Sequence, residues 1–122
     1  MFKTFVTLGS INAFLAVALG AFGAHGLKGK LSAEMLSVFE TGVQYHFYHA
    51  LGLLAIGIIA TQLPNSTWLK TSGWVMFAGI VIFSGSLYLL SITSIRWLGA
   101  ITPFGGVCFL ISWVLLVVAV LK

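Results

Sequence analysis

Only eight side chains in this 122-residue sequence carry a formal charge: Lys3, Lys28, Lys30, Glu34, Glu40, Lys70, Arg96 and Lys122. Their spacing leaves four long uncharged runs, residues 5–27, 41–69, 71–95 and 97–121. Each is at least as long as the roughly 20 residues an α-helix needs to cross a hydrocarbon core of about 30 Å. Lipid offers the backbone no hydrogen bonds, so runs of this length must satisfy their own N–H and C=O groups as helices. The expected fold class is therefore all-α, with four transmembrane helices in an up-down antiparallel bundle. Residues 1–122 form a single membrane domain with spans at about 5–26, 42–63, 73–92 and 103–121, and short connections make the spans alternate in direction. At 60% hydrophobic and 7% charged residues, the chain cannot solvate a globular surface. The lipid bilayer is its first expected partner, and its location is the cell membrane as a multi-pass integral protein.

The local signals sharpen this frame. Met-Phe-Lys followed by an apolar run resembles a signal peptide. The run to Ala24 exceeds the usual apolar region, however, and carries a stripe of small residues suited to packing, so an uncleaved first span is expected. That stripe is Gly9, Ala13, Ala16, Gly20 and Ala24, at spacings of three or four that let membrane helices approach closely. Asn12 sits within the same helix and calls for a hydrogen-bonding partner on another. Ser32 reads as a helix cap, with Glu34 in the first turn where the helix dipole favours negative charge. Leu63-Pro64-Asn65 is a stop and turn, and Trp68 and Trp74 are interfacial anchors at the entrance of the third span. Pro103, with Thr102 before it as a cap, sets the start of the fourth span. Lys3, Lys70 and Lys122 fall on one side of the membrane and Lys28, Lys30 and Arg96 on the other. The positive-inside count is thus balanced at three against three.

Threading the spans alternately gathers most groups capable of chemistry at one end of the bundle. There lie His25, Glu40, Gln44, Tyr45, His46, Tyr48, His49 and Arg96, with Tyr88 a turn or two inside. Polar groups entering membrane helices usually serve partners or pathways. On a helix at about 100° per residue, Tyr45, His46 and His49 share one sector, while Glu40, Gln44 and Tyr48 form a second stripe. His46 and His49 have the spacing of a chelating pair but lack a third ligand on their helix. Packing histidines are the simpler reading, so no metal site and no cofactor is expected. Arg96 reads as a snorkelling anchor, with Glu40 as the alternative charge partner. The lone Cys108 removes an internal disulfide and a thiolate cage. No nucleophile has a base and orienter, no phosphate loop occurs, and no basic stripe suggests nucleic acid.

Four blocks carry a family resemblance. They are Gly20-Ala21-Phe22-Gly23-Ala24-His25-Gly26, the stretch from Phe39 to Leu51, Phe83-Ser84-Gly85-Ser86-Leu87-Tyr88, and Leu98-Gly99-Ala100-Ile101-Thr102-Pro103-Phe104-Gly105-Gly106. In this order they resemble the small integral membrane proteins of domain of unknown function family 423, the UPF 0382 group. The resemblance covers essentially the whole chain and implies a multi-pass membrane protein of about this size; it assigns no reaction. The family's tyrosine, tyrosine and histidine correspond to Tyr45, Tyr48 and His49, and His46 lies outside the pattern. The candidate polar or ligand site is therefore His25, Glu40, Tyr45, Tyr48, His49, Tyr88 and Arg96, expected to form an interhelical network at one membrane face. Gly85, Gly105 and Gly106 join the first-span stripe as helix-packing positions. The functional expectation is a structural, accessory or interaction component that packs as a homo-oligomer or in a larger membrane complex, and more a binding protein than an enzyme. The alternatives are a transporter or channel for a small solute or proton, and a membrane enzyme or cofactor-binding protein.

Overall fold

A computed structural model describes all 122 residues. It is all-helical, in the order α1 (Phe2–His25), α2 (Ala33–Ile59), α3 (Thr67–Gly79), a π-helical turn (Ile80–Ser84), α4 (Gly85–Thr93), a 3-10 turn (Arg96–Ala100) and α5 (Thr102–Leu121). Four helical stretches are long and apolar enough to cross a membrane: α1, α2, the continuous α3–π–α4 span and the α5 segment. They form the antiparallel up-down bundle that four apolar runs with short connections require.

Packing follows chain order. α1 rests mainly on α2, the third span packs on both α2 and α5, and α5 rests mainly on the third span. The buried residues explain how the seams run. In α1 they are Phe5, Gly9, Asn12, Ala16 and Gly23, and in α2 Met35, Phe39, Gly42, His46, His49, Leu53 and Ile56 recur at alternating steps of four and three. A mean repeat of about 3.5 residues is the signature of left-handed packing between nearly antiparallel helices.

The small residues of the first span act inside the chain. A Cβ at Gly9 would stand 2.8 Å from both the Ala50 carbonyl oxygen and the Leu54 nitrogen, so glycine there sets how closely α1 and α2 approach. Ala16 is buried and Ala24 is exposed, and Asn12 and Gly23 take the buried places in the seam. The stripe drifts because a seam of 3.5 residues per turn steps 9, 12, 16, 23, whereas steps of four carry 13 and 24 out of register.

Of two expected helix caps, one changes and one holds. Thr102 is not a cap; it lies within α5, whose first turn holds Pro103, and its hydroxyl lies 2.6 Å from that of Ser86 on α4. Ser32 does cap α2, accepting from the Met35 N–H at 3.1 Å. The third span ends at Ser94, which adopts the left-handed conformation with φ 58°. Before it, the π-helical turn presents Ser84 to α2 and its Phe83 backbone to Gly105 of α5.

Candidate functional site

His46 stands at the midpoint of α2, buried between α1 and α4. Asn12 of α1 donates from Nδ2 to the Leu8 carbonyl at 2.8 Å, which directs its carbonyl oxygen towards His46 Nε2, 2.9 Å away. An amide oxygen only accepts, so the neutral ring carries its proton on Nε2 and donates to Asn12. Nδ1 is then a lone pair, and it accepts from the Tyr88 hydroxyl at 2.8 Å. The result is a one-directional chain, Tyr88 to His46 to Asn12 to Leu8, that ties three membrane spans together.

His49, one turn further on, meets different neighbours. Its Nδ1 lies 2.8 Å from the Tyr45 carbonyl oxygen, a pure acceptor, so Nδ1 carries the proton here. Nε2 accepts from the Trp113 indole N–H of α5 at 3.1 Å. The ring also stacks on Phe109 at 3.5 Å between centroids and 5° between planes. The two histidines are therefore fixed in opposite tautomers, and each uses both ring nitrogens in hydrogen bonds. A metal or haem iron needs an imidazole lone pair, and on either ring that lone pair is already engaged.

Serines complete the ties. Ser84 donates to the Gly42 carbonyl at 2.7 Å, and Ser72 donates to the Ser112 carbonyl at 2.7 Å. No buried side-chain nitrogen or oxygen lacks a partner. In lipid, where water cannot substitute, such complete pairing removes the penalty of an orphaned polar group. No three His, Cys, Asp or Glu side chains come close enough to hold a metal ion.

The structure distributes the sequence-derived site rather than assembling it whole. Tyr88 joins the buried network through His46. Tyr45 packs on Phe83 at 4.8 Å and edge-on to Tyr48 at 5.7 Å; its backbone carbonyl serves His49 while its ring remains partly exposed. Tyr48, with Gln44, lines an open apolar groove of about 470 Å³ between α1 and α2. Glu40 is exposed. Arg96 pairs with Glu34 at 3.0 Å, so Glu34, less than two turns nearer the helix start, takes the place expected for Glu40. His25 lies exposed at the end of α1. Asn12, which meets His46, is 13 residues away along α1, or about 20 Å at 1.5 Å per residue, so His25 and His49 do not meet. The network accordingly sits in the middle of the bundle, not at one membrane face.

Asn12 finds the partner on another helix that its place in the first span calls for, whereas His46 and Trp113 are network members left out of the motif-derived site. The signal that finds Asn12 and His46 is the seam: both occupy positions of the 3.5-residue repeat that otherwise holds Gly, Ala, Phe and Leu. Trp113 leaves no comparable signal, because an aromatic residue in an apolar span reads as lipid-facing.

Comparison with known proteins finds relatives along nearly the whole chain. The family described as "Protein of unknown function (DUF423)" matches residues 19–106, a stretch containing His46, His49 and Tyr88. The chain is 61% identical over 120 residues to the UPF0382 membrane protein YwdK of Bacillus subtilis, covering 98% of each chain. It is 56% identical to a UPF0382 membrane protein of Staphylococcus saprophyticus, again over 98% of each. A relative in Staphylococcus epidermidis is 55% identical, over 98% of this chain and 97% of its own. No solved structure matches.

Proposed function

Because the chain belongs to the DUF423 family, whose relatives are the UPF0382 membrane proteins, we propose that it is an accessory or structural component of the membrane, a pre-locked helix bundle that packs with itself or within a larger membrane complex. The observation that carries this reading is the complete internal pairing of the buried polar groups. Side chains that transport or react usually converge on a cavity, and the four cavities of about 260–530 Å³ are not lined by Asn12, His46, His49 or Tyr88. These residues act instead as interhelical ties. The small residues Ala16, Gly20 and Ala21, with Phe47 and Tyr48, shape the open groove between α1 and α2 into a surface on which a further helix fits.

Crosslinking in native membranes, followed by purification in mild detergent and native mass spectrometry, tests the reading. Discrete oligomers or a stoichiometric co-purifying protein are expected; monomer with no companion counts against it. A proton or small-solute pathway is the second reading, favoured by the hydrogen-bonded chain from Tyr88 to Leu8. That chain ends on a helix carbonyl. Flux into liposomes that disappears with His46→Ala would support the pathway, and flux at the empty-liposome level would remove it.

A further inference from the structure

At the end of the bundle opposite Glu34 and Glu40, the start of α1, the turn before α3 and the first turns of α3 border an open cavity of about 530 Å³. Its walls include Thr4, Asn65, Ser66, Thr67, Lys70 and Trp74, a set of donors with a cation and an aromatic ring. No side-chain carboxylate accompanies them. The two acids of the chain both belong to the first turns of α2, about 30 Å away by the length of that helix, and the one ion pair in the molecule joins Arg96 to Glu34 there. Lys70, with Lys3 and Lys122 at the same end, therefore creates a positive field that nothing in the side chains neutralises. Lys122 itself lies 5.8 Å from the centre of the Trp68 ring.

The donors in the cavity are oriented as well as numerous. Ser66 Oγ accepts from the Leu69 N–H at 3.1 Å, and the Ser66 carbonyl accepts from the Lys70 N–H. The Thr67 and Trp68 amides, the first two of α3, have no intrahelical acceptor, and Thr67 shares the cavity wall with Lys70. The volume falls in the range of small-molecule sites, wide enough for a phosphate together with its ester group. Trp68 and Trp74, each nearly half exposed, place this cavity at headgroup depth, where tryptophan concentrates. The groove between α1 and α2 is, by contrast, apolar.

We propose that this cavity binds a phosphoryl anion, supplied by the headgroup of an anionic phospholipid in the adjoining leaflet or by soluble phosphate. Lys70 provides the charge, the Thr67 and Trp68 amides and the hydroxyls provide directed donors, and the Trp74 ring packs on the carbon skeleton of the ester. The full chain, 15N-labelled in zwitterionic detergent micelles, is titrated with dioleoylphosphatidylglycerol in one arm and inorganic phosphate in the other, while the Thr67 and Trp68 amide resonances are followed. A saturable shift in the lipid arm assigns the anion to the bilayer, and one in the phosphate arm alone assigns it to the aqueous phase. In either case Lys70→Gln weakens binding by about tenfold or more, as loss of a charge-assisted contact does, while Lys70→Arg and the far-end control Lys28→Gln retain it. Thr67→Pro supplies an independent variant, because proline is accepted at the first helical position yet removes one donor amide; binding read at Trp68 is expected to weaken several-fold. Absence of a saturable shift in both arms, or equal binding by wild type and Lys70→Gln, overturns the proposal.

Discussion

His46 and His49 lie on neighbouring turns of one helix, yet their protons are held on different nitrogens because one ring meets an amide oxygen and a phenol while the other meets a carbonyl and an indole. Solid-state 15N measurements in lipid are expected to show His46 protonated at Nε2 and His49 at Nδ1; identical tautomers would contradict the geometry. Removing one partner leaves a buried lone pair or donor unsatisfied, a loss of roughly 1–2 kcal/mol for neutral groups, with interhelical bonds in membranes towards the lower end. Tyr88→Phe and Trp113→Phe are therefore each expected to lower unfolding free energy by about 1 kcal/mol in a detergent titration. Because Asn12 and Tyr88 act on opposite nitrogens of one ring, Asn12→Ala combined with Tyr88→Phe is expected to depart from the sum of the single effects. The same pair drawn from two unconnected positions would add.

At the scale of the helix, glycines separate into those that set a distance and those that do not. Gly9→Ala forces a methyl group to within 2.8 Å of the α2 backbone, which cannot yield as a side chain can, so a loss in the range of about 1–3 kcal/mol is expected. At Gly85 nothing lies within 4 Å of the added Cβ, and at Gly106 only the Phe83 ring edge is near, at 3.9 Å. Gly85→Ala is accordingly expected to leave stability unchanged or raise it by about 0.5–1 kcal/mol through helix propensity. Ser94 holds a conformation that glycine adopts freely; Ser94→Gly is expected to raise the thermal midpoint, and Ser94→Val to lower it. These contrasts mark what the sequence discloses about elements. The four spans are legible because charge placement and run length are properties of the chain alone. The π-helical turn is not legible, because it exists where Ser84 reaches the Gly42 carbonyl and Gly105 meets the Phe83 backbone. Both of those contacts depend on the neighbouring helices.

At the scale of the molecule, the polar residues that look like one crowd in the sequence divide by depth. The crowd at the starts of α2 and α5 remains at the surface, where Arg96 pairs with Glu34, while His46, His49 and their partners occupy the interior. Counting charges could not separate these groups, because His46 and Glu40 differ by less than two turns of helix; only the 3.5-residue seam tells which of them faces inward. The sequential packing of the four spans also orders events during synthesis. Each helix leaving the ribosome finds a packing partner already in the membrane: α2 meets α1, the third span meets α2, and α5 meets the third span. A nascent chain halted after Ala60 already has the Asn12–His46 bond available to it. The remaining lone pair on His46 waits for the hydroxyl of Tyr88 to arrive with the third span, and that on His49 waits for Trp113 in the last.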